Sequence, residues 1–303
     1  MILLRQMVIF LFMMVLGYII AKKGILNEEV SKSISWIIVN IANPALIISG
    51  SIGNSIRKSE LLFILALAFG LYLLLILVAE LIIPFFHFPK KSEGIYKILL
   101  VFTNMGFMGF PIMSAMYGSE SLLYASVFML PFNFLIYTYG IFRLIGGVEK
   151  PRVILKKCLN AGVIAVLVTF IIALCNLQLP YIITQSITML SNLIAPLCMM
   201  VIGATFVNVS FREVFCDGKL LIFSVVRLLV IPFVFMFLLR KITDNVLLQN
   251  VAFIVIATPA GSMAAMLAQQ YDADYRTASK GIALTTLLSV VTMPLMFVVL
   301  GLT

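Results

Sequence analysis

Long apolar segments recur along the whole chain and restrict it to a membrane. Charged and turn-forming residues separate ten of them, numbered one to ten here, at 4–21, 31–52, 60–86, 96–117, 121–145, 153–175, 181–208, 219–240, 246–271 and 276–301. A hydrocarbon core about 30 Å thick needs about 20 apolar residues per helix, so each segment is long enough to span it. The sequence therefore predicts an all-α integral membrane protein with ten transmembrane helices.

The composition agrees with this prediction and argues against other classes of protein. The 303 residues are 63% hydrophobic and 11% charged, a balance far outside that of soluble globular domains. The net charge is +9, but the basic residues lie between apolar segments rather than in one patch with interleaved aromatic residues. This distribution carries information about topology, and we expect no nucleic acid partner.

The cysteines and the single histidine form no metal-binding pattern. Cys158, Cys175, Cys198 and Cys216 are scattered without a CxxC pair, and His87 is the only histidine. We therefore expect no metal site, no disulfide framework and no cofactor. An intramembrane enzyme would have few candidate catalytic groups here, so the sequence predicts a protein that is not an enzyme.

Lysine and arginine are distributed unequally between the two sides of the predicted helices. Sixteen of them lie in or near the loops that follow the odd-numbered segments. Five lie on the opposite side: Arg5, Arg57, Lys58, Arg240 and Lys241. Cytoplasmic loops carry an excess of Lys and Arg, so we expect a multi-pass protein of the cell (inner) membrane with both termini extracytoplasmic.

The two halves of the chain resemble each other at matching positions. The sequence NIANP at 40–44 in segment two corresponds to NLIAP at 192–196 in segment seven, at an offset of 152 residues. Asn104 in segment four falls opposite Thr258 in segment nine, at an offset of 154 residues. The similar offsets indicate an internal repeat.

A polar connector at 146–152 separates the two copies of this repeat. We expect a first five-helix repeat at 1–147 and a second at 148–303. Because five is an odd number, the second copy enters the membrane in the opposite sense, as in the inverted repeats of many secondary transporters.

Segments four and nine each contain a helix-breaking cluster near mid-membrane. The clusters are NMGFMGFP at 104–111 and ATPAGS at 257–262. Proline removes a backbone donor and glycine tolerates non-helical dihedrals, so we expect both segments to unwind there. If the breaks meet, the N-termini of the following half-helices offer free N–H groups and partial positive charge to an anion.

The candidate substrate-binding residues are the amides, glycines and prolines of these clusters and their counterparts in the other repeat. They are Asn40, Asn43, Asn104, Gly106, Gly109, Pro111, Asn192, Thr258, Pro259 and Gly261. An alternative interpretation is that the prolines merely kink their helices and the asparagines join neighbouring helices.

Two ionisable residues inside segments are candidates for coupling or gating, because a charge in the bilayer needs a partner or water. Glu80, near the cytoplasmic end of segment three, either relays protons, meets Lys90 or is an ordinary interfacial carboxylate. Arg227 lies about eight residues, or roughly 12 Å, into segment eight. It either extends to the cytoplasmic headgroups or serves as a cation on the substrate path or at a gate.

Several short motifs, taken in order, resemble those of the auxin efflux carrier family. They are GYIIAKKGIL at 17–26, NPAL at 43–46, Asn104 to Pro111 with Tyr117 and Gly118, Pro196 with Gly203 and Ala204, and Pro259 with Tyr271. The resemblance extends over nearly the whole chain, and the chain looks like a bacterial member of the family.

This resemblance implies a particular fold and mechanism. The fold is two inverted five-helix repeats, similar to the bile-acid symporter and sodium/proton antiporter group, with broken segments four and nine crossing at the substrate site. The mechanism is of the elevator type, in which segments one, two, six and seven form a scaffold. By this likeness Asn104, Pro111 and Pro259 mark the crossing. At the position of Ala264, plant members carry a second proline.

The leading functional hypothesis is a secondary active transporter of a small organic anion, a carboxylate, embedded in the lipid bilayer. Candidate driving forces are the membrane potential and coupling to protons or sodium, and a homodimer is a candidate assembly. The alternative is an ion or solute channel, although no filter-like repeated loop is visible in the sequence.

Overall fold

The computed structural model describes residues 2–147, 151–208 and 210–302. Its α-helices are α1 (Ile2–Lys22), α2 (Glu28–Ile37), α3 (Asn43–Ser49), α4 (Lys58–Ile82), α5 (Lys90–Val101), α6 (Phe110–Leu135), α7 (Ile141–Ile145), α8 (Pro151–Cys158), α9 (Ala161–Leu174), α10 (Tyr181–Asn192), α11 (Ile194–Thr205), α12 (Phe211–Phe215), α13 (Gly218–Val225), α14 (Ile231–Ile242), α15 (Val246–Ala257), α16 (Met263–Gln270) and α17 (Tyr275–Leu300). Short π-helical segments are Ile38–Ala42, Met105–Gly109, Ile136–Gly140 and Val226–Val230. Short 3₁₀ segments are Ile83–Phe86 and Phe206–Asn208.

Three of the π-helical segments end two residues before a proline. The prolines are Pro44, Pro111 and Pro232. A proline has no N–H, and its ring clashes with the carbonyl of the residue four positions earlier. Widening the preceding turn to a π-helix relieves this clash, so the chain continues through each proline as a helix instead of unwinding.

Seven helical stretches in the described residues are long and apolar enough to cross a membrane. The pair α8 and α9, bent by 64°, makes an eighth. One of the seven, Met105–Ile145, has 41 residues, and Gly118 interrupts it with a non-helical φ of 72° and ψ of −163°. The fold is therefore all-helical and membrane-spanning, while the count of ten helices stays a prediction.

The helices form two compact units. The first unit consists of Met1–Ala66, Gly106–Leu130 and Leu159–Asn208. The second unit consists of Leu67–Met105, Pro131–Cys158 and Val209–Thr303. Each unit contains helices from both predicted repeats. The predicted boundary at 147/148 adjoins residues 148–150, which lie outside the described residues.

In the first unit, α1 packs along α11 with their backbones in direct contact. A Cβ atom added to Gly17 would lie 2.1 Å from the carbonyl oxygen of Met200, and one added to Gly203 would lie 1.9 Å from that of Met14. Such close approach is typical of small residues between membrane helices.

In the second unit, α5 packs against α17 and α7 at glycine positions. A Cβ on Gly281 would lie 2.5 Å from Leu99 Cδ1, and a Cβ on Gly94 would lie 2.1 Å from the carbonyl oxygen of Arg143. These contacts hold α5, which ends where segment four breaks.

Candidate functional site

Two broken helices are joined by their backbones in the second unit. The backbone becomes extended at Phe102, where α5 has ended at Val101, and again at Thr258, where α15 has ended at Ala257. An isolated antiparallel β-bridge then pairs Thr103 with Ala260. The backbone N–H of Asn104 donates to the carbonyl of Pro259 at 2.7 Å, and that of Gly261 donates to Phe102 at 2.9 Å. We call 102–104 and 258–261 the crossover.

The crossover requires a glycine on one side and is closed to solvent. A Cβ on Gly261 would lie 2.8 Å from the carbonyl oxygen of Thr103, so only glycine fits without a shift. Thr103 is 1% exposed and Ala260 is 0% exposed. The backbone N–H of Ala260 also receives support, since it donates to Thr285 Oγ1 at 3.2 Å.

The position of the break agrees with the sequence prediction in segment nine and corrects it in segment four. The predicted unwinding at 257–262 is present, with the non-helical stretch running from Thr258 to the start of α16. In segment four the break lies at 102–104, and Gly106, Gly109 and Pro111 are helical. The physical reason is that the π-helix at Met105–Gly109 accommodates the proline.

Arg227 holds the two helix ends that enter the crossover. Its guanidinium donates from Nε to Leu99 O at 3.3 Å, from Nη1 to Ile256 O at 2.7 Å and from Nη2 to Thr258 O at 3.0 Å. Its exposure is 0%. The predicted alternative in which Arg227 reaches the headgroups is therefore wrong, because its donors pair with main-chain carbonyls of α5 and α15 instead.

This arrangement leaves an electrostatic imbalance at the crossover. The C-terminal ends of α5 and α15, each worth about half a negative charge, face the guanidinium. The helices that begin at Met105 and Met263 have no acidic residue in the first turn, and Ser262 makes no side-chain cap at α16. At α16 the N–H groups of Ala264, Ala265 and Met266 already donate to the carbonyls of Gly261 and Ser262. The first turn of the helix that begins at Met105 is therefore the better candidate to donate to an anion.

Two of the side chains predicted to join this site, Asn104 and Thr258, are buried. Asn104 is 5% exposed. Thr258 is fully buried, and its hydroxyl donates to Val255 O at 3.1 Å within its own helix end. Thr285, which supports Ala260, was missed from the sequence because it lies inside an apolar helix.

In the first unit, Asn43 and Gly106 are neighbours. The Asn43 Nδ2 atom is 3.7 Å from the position that a Cβ on Gly106 would take. Asn43 is 6% exposed, and its Oδ1 atom has no hydrogen-bond partner. Asn40, by contrast, is exposed and donates to Trp36 O at 2.9 Å in its own helix.

The first unit also contains a cavity of about 150 Å³ that brings two predicted residues together. Pro111 and Asn192 line it, with Gln6, Ser114 and Ser191 supplying further polar groups. The lining residues carry no charged side chain. Gln6 and the two serines could not be selected from the sequence, since single polar residues in apolar segments have no motif around them.

Glu80 lies in a cluster of charged and polar groups in the second unit. It forms ion pairs with Lys97 at 2.9 Å and with Arg143 at 2.6 Å, and the hydroxyl of Tyr139 donates to it at 2.6 Å. The predicted pairing with Lys90 is wrong. Lys90 is exposed at the start of α5, whereas Lys97 is buried two turns further along the same helix.

Asp274 begins α17 outside the apolar span. Its carboxylate accepts hydrogen bonds from Ser92 Oγ at 2.6 Å and Thr277 Oγ1 at 2.7 Å. Burial raises the pKa of Asp274, but these hydrogen bonds outweigh burial and leave the pKa below its usual value. The residue stays ionised at neutral pH and caps the positive end of α17.

Comparison with known proteins gives two concordant findings. The model of a family described as "Membrane transport protein" matches residues 2–152 and again residues 148–297. An uncharacterized transporter of Methanocaldococcus jannaschii is 28% identical over 299 residues, covering 95% of both chains. An uncharacterized transporter of Methanothermobacter thermautotrophicus is 26% identical over 299 residues, covering 96% of both chains.

Proposed function

From the premise that the chain belongs to the membrane transport protein family, which is the auxin efflux carrier family, we propose that it is a secondary active transporter of a small organic anion. The chain is a membrane transport protein and not an enzyme. The proposed substrate is a carboxylate, and the proposed mechanism is alternating access of the elevator type. The proposed location is the cell (inner) membrane, with both termini extracytoplasmic.

The observation that supports this proposal is a difference between the helix ends at the crossover: a cation bonds the C-terminal ends, whereas the following N-terminal turns contain no acidic residue. Arg227 donates to the C-terminal carbonyls of both α5 and α15. The first turns that begin at Met105 and Met263 contain no acidic residue. Unpaired backbone groups in a membrane are tolerated where protein or a polar ligand satisfies them, and an anion suits these donors.

We further propose the ten-helix inverted repeat. The 41-residue stretch with its interruption at Gly118 is long enough for parts of two spans, and segments four and nine are each divided by a break. The family model matches the chain twice in succession, in parts that meet near the predicted boundary at 147/148. Both observations support a duplicated five-helix unit.

The division into compact units supports an elevator mechanism. The first unit contains segments one, two and seven and residues 159–175 of segment six, which the family resemblance assigns to the scaffold. It also contains residues 60–66 at the start of segment three. It also contains Gly106–Leu130, parts of segments four and five, so the unit and the proposed scaffold agree only in their main helices. The crossover belongs to the second unit, the proposed moving part.

Counterflow in proteoliposomes tests the proposal against the channel alternative. Vesicles containing purified protein are preloaded with an unlabelled carboxylate, and uptake of the labelled compound is followed. A carrier gives saturable uptake that internal substrate stimulates, whereas a channel gives uptake without such stimulation. Uptake equal to that of protein-free vesicles for every carboxylate in a panel would overturn the proposal.

The driving force is tested in the same vesicles. One elementary charge crossing 100 mV is worth about 2.3 kcal/mol, so the membrane potential alone is a sufficient force for a modest gradient. Imposing a potassium diffusion potential, a pH gradient or a sodium gradient separately identifies which of them drives accumulation. No stimulation by the potential would argue for electroneutral coupling to protons or sodium.

A further inference from the structure

An apolar groove of about 290 Å³ lies on the second unit, between α17 and the helical stretch formed by Val226–Val230 and α14. The side chains that line it in the described part of the chain are all apolar: Leu229, Val230, Phe233, Leu295, Met296 and Val299. Val299 is 58% exposed. The two sides of the groove belong to the membrane-spanning stretches Gly218–Ile242 and Tyr275–Leu300, so the groove faces the hydrocarbon of the bilayer.

Two basic residues lie at one end of this groove. Arg240 and Lys241 are exposed in the last turn of α14. Phe233, which lines the groove, is seven residues before Arg240, and about two helical turns return Arg240 to the same side of α14. The Arg240 guanidinium also donates to the carbonyl of Leu300, the last residue of α17. The basic end is therefore connected to both helices that form the groove.

No acidic side chain neutralises this basic end in the described part of the chain. Neither Arg240 nor Lys241 forms an ion pair there, although Asp244 follows in the next loop. The bond to Leu300 O uses one of the five donors of Arg240. The ammonium group of Lys241 makes no hydrogen bond to a described residue. An anion at the membrane surface therefore finds donors at this end of the groove.

We propose that the groove binds an anionic phospholipid, with one acyl chain between α14 and α17 and the phosphate at Lys241 and Arg240. Such a lipid carries an apolar chain and a negative headgroup in one molecule, so it matches the groove and the basic end together. A zwitterionic phospholipid has the same chains but no net charge, so it should bind less tightly. This inference does not depend on the transported substrate or on the transport mechanism.

The alternative is that the two basic residues only anchor the end of α14 in the headgroup layer. Anchoring requires no acyl chain in the groove. Filling the groove with a larger side chain would then leave the lipid preference unchanged, whereas a lipid bound in the groove would be displaced. The test therefore changes the groove and the basic end separately.

Quenching of tryptophan fluorescence by brominated lipids measures binding at a chosen place on the full-length protein in bilayers. Trp36 is the only tryptophan, so Trp36→Phe gives a background without signal. Phe237→Trp adds a reporter beside the groove, since the ring centroids of Phe237 and Phe233 are 5.0 Å apart. Leu73→Trp adds a control reporter at another exposed position of the second unit. Brominated phosphatidylglycerol and brominated phosphatidylcholine are compared, each mixed with unlabelled phosphatidylcholine.

At the Phe237→Trp reporter we expect phosphatidylglycerol to bind about fivefold more tightly than phosphatidylcholine. At the Leu73→Trp reporter the preference should stay below about twofold, because no basic residue lies near it in the sequence. Lys241→Gln should at least halve the preference beside the groove. Lys58→Gln, at an exposed lysine of the first unit, is the matched control and should leave the preference unchanged.

The groove itself is tested by Val299→Phe, which fills it while both basic residues remain. We expect this change to lower the preference at the Phe237→Trp reporter to that of the control reporter. Val298→Phe, at a neighbouring residue that is 78% exposed and does not line the groove, should keep the preference. Because both valines are exposed, neither change should disturb folding.

A second measurement needs no reporter. In detergent solution, phosphatidylglycerol should raise the unfolding temperature of the wild-type protein more than phosphatidylcholine does, because a bound ligand stabilises the folded state. Equal shifts by the two lipids would overturn the proposal, as would equal binding at the Phe237→Trp reporter. A preference that survives Lys241→Gln or Val299→Phe would also overturn it. Dissociation of a dimer by Val299→Phe, measured by light scattering, would assign the groove to a second copy of the chain instead.

Discussion

The two broken segments reach the same crossover by different local routes. In segment nine the non-helical stretch contains Pro259 and Gly261, so the residues that break the helix lie at the break. In segment four the break at 102–104 contains neither proline nor glycine, and Pro111 lies within a helix. Segment nine therefore breaks because of its own proline and glycine, whereas segment four breaks because of the groups that it contacts. These groups are Ala260, which pairs with Thr103 in the β-bridge, and Arg227, which donates to Leu99 O.

The largest expected effect comes from removing the residue that both segments share. Arg227→Met leaves the carbonyls of Leu99, Ile256 and Thr258 without their charged donor. We expect the free energy of unfolding to fall by about 3 kcal/mol and transport to fall on the order of 100-fold. Thermal unfolding and proteoliposome uptake measure the two effects. Arg57→Met, at an exposed arginine, is the control.

An unchanged uptake rate in Arg227→Met would show that the crossover does not depend on this guanidinium. Arg227→Lys adds a finer comparison, because it keeps the charge but lacks the forked donors that reach three carbonyls. We expect it to be intermediate in both measurements.

The second prediction contrasts one glycine from each segment. Gly261→Ala places a methyl group 2.8 Å from the carbonyl oxygen of Thr103, so the bridge must shift. We expect a loss of stability of about 2 kcal/mol. Gly106→Ala meets no backbone atom and adds a good helix former, so its unfolding temperature should equal or exceed that of the wild type. Equal destabilisation by the two changes would contradict the difference between the segments.

The prolines give the third contrast. Pro259→Ala restores a backbone N–H inside the break and allows helical dihedrals there, and we expect turnover to fall about tenfold with little loss of expression. Pro111→Ala lets the preceding π-helix tighten, so its effect on turnover should be smaller. Initial uptake rates at saturating substrate measure both. A larger defect in Pro111→Ala would reverse the assignment of the break.

The smallest effect is expected from the polar side chains at repeat-related positions. Asn104→Ala should raise the KM for a carboxylate about fivefold, because the substrate would lose one hydrogen bond. Expression should stay intact. Thr258→Val should change the KM less, because the Thr258 hydroxyl already donates to Val255 O. Uptake at varied substrate concentration measures both values. Equal KM values in Asn104→Ala and the wild type would argue against a binding role for Asn104.

Sequence patterns predicted the features that depend on nearby residues. Apolar segments indicated the membrane helices, and ATPAGS at 257–262 indicated the break in segment nine. Asn43 was also selected from its motif, although its unpaired oxygen became visible only in the structure. These features follow from hydrophobicity and from the backbone properties of proline and glycine.

Features that depend on distant residues could not be predicted. The partners of Arg227 are carbonyls of two helices that are 128 and 29 residues away in sequence. Every residue has a carbonyl, so no side-chain pattern marks these acceptors. Glu80 likewise pairs with Arg143 and Lys97 instead of Lys90, because helix packing decides which cation is buried beside it.

The central claim is that the helix beginning at Met105 binds a carboxylate through its free N–H groups. Protein labelled with ¹⁵N at its 18 glycines allows the amide of Gly106 to be followed during a carboxylate titration. We expect a saturable shift of the Gly106 signal and no shift of the Gly24 signal, because Gly24 lies at an exposed turn. An unmoved Gly106 signal at concentrations that saturate transport of the same carboxylate would contradict it.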